Sequence, residues 1–390
     1  MRININSRFI IAAVAATCLL ANACQKDTPQ YETDNLKLPA HVASYKAHST
    51  LTGIVATNPQ TDDGATLGRV LFYDKKLSLT NTISCGSCHH QEHGFADFDA
   101  SSEGFKGERT PRNAMALANA GMETSYFWDL RTKTLKDLVL QPVGNHIEMG
   151  LDNTDNLVKK LQRTPYYANL FQKAFGTPDI TQERVSKAVA QFLRAMVSNQ
   201  SKFDQAATTQ NFTGFTVEEN RGRVLFFNEL HCTGCHQSNA LSTTNSFSGQ
   251  GSAQNIGLDV NYQDNGLGKI TGDKQNGVFK VPTLRNVELT GPYMHDGRFK
   301  TLEEVVEHYN TGVQQHPNLS FFLNGFLWSG NGGTSGRVTT GCWSCGMGQG
   351  GNTFKPLQMN EGDKKALVAF LKTLTDKSFV TAEKFSNPFE

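Results

Sequence analysis

The chain has 390 residues, with 37 Lys and Arg against 36 Asp and Glu, and a formal charge of +1 at pH 7. That length accommodates two domains, and a balance this close to neutral gives no sign of nucleic-acid binding. Beyond one N-terminal apolar run, nothing approaches the ~18 residues needed to span a bilayer.

In chain order, Arg2 and Arg8 precede an apolar run from Phe9 to Leu20, followed by Ala21-Asn22-Ala23-Cys24. This reads as a signal peptide over residues 1–23. Its removal takes away two arginines and no acid, leaving a formal charge of −1. Cys24 has two readings. Leu20 to Cys24 resembles a loose lipobox, which would make Cys24 the lipidated first residue of a membrane-tethered protein. Cleavage after Ala23 would instead leave a free thiol. The lipid anchor is favoured because an exposed unpaired Cys is reactive. Residues 24–57, polar from Gln25 to Lys37, then form an N-terminal tether.

Two Cys-x-x-Cys-His runs come next, Cys85-Gly86-Ser87-Cys88-His89 and Cys232-Thr233-Gly234-Cys235-His236. This is the attachment signature of c-type haem, in which two thiols add across the vinyl groups and the adjacent His binds iron. Zinc half-sites or disulfides are the alternatives. Two such runs in an exported chain favour haem, since free Cys pairs are uncommon there unless oxidised or ligating. Two covalent haems are therefore expected, with His89 and His236 as iron ligands. Such haem is attached outside the bacterial cytoplasm, which agrees with the signal peptide and points to the periplasm. Cys342 and Cys345 have Gly346 where a ligating His would stand, so they read as a local disulfide or as free thiols.

The motifs sit in an internal duplication. Gly68-Arg69-Val70-Leu71-Phe72-Tyr73 is echoed by Gly222-Arg223-Val224-Leu225-Phe226-Phe227. Thr110-Pro111-Arg112-Asn113 is echoed by Pro282-Thr283-Leu284-Arg285-Asn286, and the segment from Trp128 to Leu135 by that from His295 to Leu302. The order is kept, which predicts two homologous haem domains over residues 58–210 and 211–380, with a tail over 381–390. Val185, Ala188, Val189, Phe192, Leu193 and Met196 follow helical spacing. Thr216 with Glu219 and Thr301 with Glu304 are capping boxes. Leu367, Val368, Phe370, Leu371 and Leu374 make a last apolar helix. Thr208 to Gly214 reads as a linker, and Ser238–Gly277 and Ser329–Thr353 as loops. The class is mainly α, with two tandem cytochrome c-like domains and little strand. Aligning Asp129 with Asp296 sets Pro142 against Tyr309. Proline has no donor atom, so the comparison predicts one open and one closed iron.

These residues resemble the bacterial di-haem cytochrome c peroxidase family, and more closely its MauG branch. The match runs from about Asn58 to Thr375. It includes Leu67 to Asp74, both haem motifs, Pro111-Arg112-Asn113, Phe127-Trp128-Asp129, Gln141-Pro142, Glu148-Met149-Gly150 and Pro292 to Gly297. The resemblance implies Tyr309, fourteen residues after His295, as the second axial ligand of the second haem, where the peroxidases have Met. An ordinary core tyrosine is the other reading, with Met294, His308 and His316 as fallback ligands. It implies Glu148 as acid/base beside bound peroxide rather than a solvated Glu. It implies Trp128 as a relay between the haems rather than only a core aromatic. It also implies a calcium ion at Asn113, Thr290 and Pro292, the last two through backbone oxygens, where Asn113 would otherwise be a structural cap. Leu138 stands where the family often has Gln. No His lies between Asp97 and Arg112 to block the first iron, and His90 and His93 are too near His89 to do so.

The leading expectation is an oxidoreductase that reduces hydrogen peroxide at the first haem, with electrons from the second. A periplasmic donor, a small cytochrome or cupredoxin, would supply them. The alternatives are MauG-like oxidation of a partner protein and a non-catalytic electron-transfer cytochrome. A homodimer is a further possibility for assembly.

Overall fold

The computed structural model describes residues 57–230, 232–236, 253–323 and 356–389. The signal peptide, Cys24, the tether up to residue 56, Cys342, Cys345 and the loop from Ser329 to Thr353 lie outside these residues. So does part of the loop from Ser238 to Gly277. Among the described residues no helix is long and apolar enough to cross a membrane.

The chain is mainly helical. The first half contributes α1 (Asp62–Tyr73), α2 (Leu135–Gly144), α3 (Thr154–Gln162), α4 (Pro165–Phe175), α5 (Gln182–Ala195) and α6 (Lys202–Thr209). The second contributes α7 (Val217–Val224), α8 (Leu302–Glu307) and α9 (Glu361–Lys372). Strand among the described residues is one antiparallel pair, β1 (Ala253–Gln254) with β2 (Phe279–Lys280). Side-chain caps start the helices where the sequence places them. Thr216 accepts from Glu219 N and Thr301 from Glu304 N, and each glutamate answers back to its cap residue, satisfying amides that have no partner inside the helix. The linker begins later than expected. The Ser201–Asp204 capping box and the buried Phe203, Ala206 and Ala207 carry α6 through Thr208 and Thr209.

Two hydrophobic clusters form, one built mainly from α1 and α5, the other mainly from α9 with residues of α6, α8 and Leu225 and Phe226 just past α7. Both rest on the same contact. A Cβ added at Gly68 would lie 2.1 Å from the Ala188 carbonyl oxygen, and one at Gly222 would lie 1.9 Å from that of Ala366. Only glycine lets these backbones touch. Phe72 then packs edge-on against Phe192 at 5.3 Å, and Phe226 packs at a tilt against Phe370 at 5.2 Å.

The hairpins repeat too. Tyr126 bridges Thr132 and Tyr293 bridges Phe299. The Tyr126 hydroxyl donates to Ala120 O, and that of Tyr293 to Val287 O. Asn119 and Asn286 share a left-handed backbone, with φ of 58° and 60°. Each accepts from an amide just past the long helix of its own unit, Ser198 and Asp376 respectively. The counterpart of Asn286 is therefore Asn119, not Asn113 as the short motif match had it. Ser198 Oγ also donates to Asp376 Oδ2 at 3.2 Å, so the two units clasp through equivalent positions. The segment set apart as a tail is packed down: Phe385 is 1% exposed in the first cluster, and its carbonyl accepts from the Tyr73 hydroxyl.

Overpacking a core costs about 1–3 kcal/mol, and here the obstacle is backbone that cannot rotate away. Gly222→Ala should lower the midpoint of thermal unfolding of the intact protein, and Gly68→Ala should do the same. An unchanged midpoint in both would show that the helix crossings have slack.

Candidate di-haem site

Each Cys-x-x-Cys-His run comes after the first helix of its unit. Cys85–Ser87 is a tight turn in which the Cys88 and His89 amides both donate to Cys85 O. The Cys235 and His236 amides donate to Cys232 O in the same way. His89 Nδ1 lies 2.8 Å from Phe95 O. A carbonyl can only accept, so Nδ1 carries the proton and Nε2 keeps its lone pair. Burial lowers the His89 pKa, which keeps the ring neutral.

One cavity of about 580 Å³ runs between the units, and both runs line it through Cys88, His89, Cys232, Cys235 and His236. Trp128 lines it from the seam. Its indole N–H donates to Asn113 O at 2.9 Å, and its own carbonyl accepts from Lys280 N at 2.8 Å. Lys280 in turn reaches Glu123 Oε2 at 2.8 Å, a buried ion pair across the seam. Asn113, Thr290 and Pro292 line the same cavity. Asn113 is also pinned, through its amide to His295 O and through Nδ2 to Asp99 O.

Beyond Trp128 the two ends of the cavity differ. On the first, α2 runs through Pro142, and Leu138, Pro142 and Glu148 line the wall. Asn145 ends α2 and organises the turn beyond it. Its Oδ1 accepts from the Ile147 and Glu148 amides, and its Nδ2 donates to Glu148 Oε1 at 2.9 Å. Burial raises the Glu148 pKa, offset in part by the positive Arg131. On the second end, α8 gives way to a wider π-helical stretch over His308–Gly312. Tyr309 lines the cavity there, and burial pushes its phenol well above the usual range, with Cys235 and Cys232 adding to the effect. Met294 also lines the cavity. His308 Nε2 is engaged by Ile256 O at 2.9 Å and His316 Nδ1 by Asn255 and Asn318, and neither lines it. His93 Nε2 bonds to Gly291 O of the other unit. His90 and His93 both pack against the Phe98 ring in tilted contacts, and neither lines the cavity.

Residues 62–211 match the family model described as di-haem cytochrome c peroxidase. The methylamine utilization protein MauG of Methylorubrum extorquens is 31% identical over 371 residues, covering 93% of this chain and 91% of that protein. The chain belongs to the di-haem cytochrome c peroxidase family. The cytochrome c551 peroxidase of Nitrosomonas europaea is 36% identical over 267 residues, 67% of this chain and 77% of that one. Among solved structures, a MauG-like protein associated with microbial copper homeostasis superposes with a TM-score of 0.70 at 30% identity, covering 94% of this chain and 99% of that one.

A di-haem peroxidase fold implies two haems, and the residues here fit them. The four motif cysteines are free thiols. Burial, chiefly, pushes Cys85 and Cys232 up to about 12 and Cys88 and Cys235 up to about 11. They are therefore neutral thiols, and Cys88, Cys232 and Cys235 face the largely apolar cavity. Ser102 Oγ is buried beside Cys88. It is near enough to oppose the rise in that thiol's pKa, yet it makes no full hydrogen bond. A polar atom left so is one that a bound group would satisfy.

Sequence reasoning missed Asn145, Ser102 and the Glu123–Lys280 pair. Asn145 carried a signal, since Asn closing a helix three residues before a Glu suits a side-chain turn. The others arise from contacts between distant segments.

A carboxyl whose pKa is raised on folding favours the folded state while protonated and loses that advantage as pH rises through the raised value. Glu148→Gln stays neutral and keeps an acceptor for Asn145. Its unfolding midpoint should match the parent at about pH 4 and exceed it at about pH 7. A variant less stable at both would contradict the raised pKa.

Proposed function

We propose that this protein is a periplasmic peroxidase-type oxidoreductase that reduces hydrogen peroxide at the haem held by Cys85, Cys88 and His89. Cys232, Cys235, His236 and Tyr309 would hold the second haem, which would supply the electrons by way of Trp128. The observation that carries the reading is the single cavity lined at one end by Glu148 and donor-free Pro142, at the other by Tyr309, with Trp128 between.

When bound, the two haem irons supply one-electron exchange with peroxide and with each other. The rest is the work of the chain. His89, with Nε2 unprotonated, would hold the first iron, and Pro142 on the wall at that end carries no donor atom to compete for it. The Glu148 carboxylate takes the proton from one peroxide oxygen and returns it to the other, which then departs as water. In total, peroxide, two protons and two electrons become two water molecules. Asn145 holds the carboxylate for that transfer. Trp128, fixed by hydrogen bonds to both units, is positioned to carry charge between the two ends. Tyr309, at the position equivalent to Pro142, would be a ligand to the second iron and would close that end to small ligands. An anionic oxygen donor favours the ferric state.

Calcium at Asn113 Oδ1 and the Thr290 and Pro292 carbonyls would brace the seam, since such oxygens suit that ion. The electron donor would be a small cytochrome or cupredoxin, and Cys24 would tether the protein to a membrane. The relatives give a second reading, oxidation of a partner protein's side chains. The match to MauG over nearly the full chain favours it, and the catalytic end would be the same.

Mass spectrometry of protein matured in the periplasm should find two haem additions, and alanine at Cys85 or Cys232 should remove one each. As isolated, one ferric haem should be high-spin and one low-spin, with Tyr309→Phe altering only the low-spin signal. If Met294→Leu alters it and Tyr309→Phe does not, Met294 is the ligand.

The fully ferric protein should react with peroxide on mixing, without prior reduction, because no His in the described structure covers the first end. Glu148→Gln should slow the optical change by about 10²–10⁴-fold. Glu148 acts as a base only when ionised, and burial raises its pKa. The parent's rate should therefore fall on the acid side at a pH above the ordinary 4.5, a limb absent from Glu148→Gln. A protein that shows no peroxide reaction at all is an electron-transfer cytochrome.

A further inference from the structure

The duplicated hairpins carry equivalent arginines, Arg131 and Arg298, each tied to the aspartate two residues before it. Arg131 Nη1 reaches Asp129 Oδ1 at 2.9 Å, and Arg298 Nε reaches Asp296 Oδ2 at 2.8 Å. From there they diverge. Arg298 turns to Leu258 O and to Asp259, at 2.9 and 2.7 Å, and does not line the cavity. Arg131 lies over the Phe127 ring at 3.4 Å, donates from Nε to Gln141 Oε1 at 3.0 Å, and lines the cavity beside Leu138, Pro142 and Glu148.

Gln141 settles what this wall offers a ligand. It adjoins Pro142 in sequence but does not line the cavity, whereas Asn145, which does, spends Nδ2 on Glu148 and Oδ1 on the Ile147 and Glu148 amides. Gln141 Nε2 donates to Thr132 Oγ1 and Asp137 O, and its Oε1 is taken by Arg131. Leu138 is apolar. Within α2 itself, Leu138 and Pro142 line the cavity without a polar group, and the guanidinium of Arg131 stands beside them. Arg112, Arg131 and Lys269 share the carboxylates of Asp129 and Asp264 in one ion-pair network, and Glu148 is the further acid within reach of the Arg131 charge. Arg131 has a side chain 35% exposed, pre-oriented by Phe127, Asp129 and Gln141, and a guanidinium has donors to spare in such an arrangement.

We propose that Arg131 is an anion-binding residue of the open end, holding small anionic ligands, halides, azide and the hydroperoxide anion, at the first haem. This rests on the proposed open face of that haem. The duplication makes the assignment specific to one end, because the equivalent Arg298 is spent on Asp259.

The test is optical titration of the ferric two-haem protein with fluoride, and separately with neutral imidazole, in the parent, Arg131→Met and Arg131→Lys. Losing one charge-assisted contact should weaken fluoride binding by about tenfold, ~1.4 kcal/mol, in Arg131→Met. Arg131→Lys should recover part of the loss, and imidazole affinity should stay unchanged throughout. Fluoride affinity unaltered by Arg131→Met would overturn the proposal. So would equal weakening of fluoride and imidazole, which would mark Arg131 as purely structural. If the parent binds neither ligand, the open-end reading itself falls and takes this proposal with it.

Discussion

Both halves of the molecule hang on a helix backbone lying directly against a carbonyl of another helix. Gly68 on Ala188 and Gly222 on Ala366 leave no room for even a methyl group. With that contact made, Phe72 near the end of α1 meets Phe192, and Phe226, two residues past α7, meets Phe370. The Cys-x-x-Cys-His turn then emerges at a set distance from the long helix behind it. The same crossing used twice explains why two thiol pairs with little local structure of their own come to face one cavity.

Repetition creates the site, and departures from it give the two ends different chemistry. The segment that begins at Thr134 or Thr301 starts as the same capped helix. In the first copy it continues through Pro142 and ends at Asn145, which organises Glu148. In the second it widens into a π-helical stretch that carries Tyr309 into the cavity wall. A one-residue widening of a helix re-aims every side chain in that turn, which is why such stretches recur where a side chain must be delivered.

The seam between the units is polar and buried, and this combination sets their relative placement more sharply than apolar contact would. Glu123 and Lys280 are 8% and 5% exposed and pair across it. Burying a charge pair yields little net stability, but a buried charge without its partner is costly, so such a pair tolerates only one arrangement. Trp128 lies within the same network, its carbonyl held by Lys280 N and its indole by Asn113 O. Asp376 adds three contacts from the far end of the chain, to Ser198 Oγ and to the Asn199 and Gln200 amides.

The sequence by itself determined the two Cys-x-x-Cys-His turns, the repeated segments, the helical class and the capping boxes at Thr216 and Thr301. These are local, written in spacing and in residues a few positions apart. Pairing Pro142 with Tyr309 also needed only the repeat. Tertiary structure alone decided that Asn119 is the partner of Asn286, that Phe385 closes over the first core, and that His308 and His316 turn to backbone and amide partners away from the cavity. It also decided that Arg131 enters the cavity while Arg298 leaves it. Each depends on which distant group a side chain meets, Asp259 for Arg298 and Gln141 for Arg131, and no periodicity in a chain records the direction in which a flexible, charged side chain will find its partner.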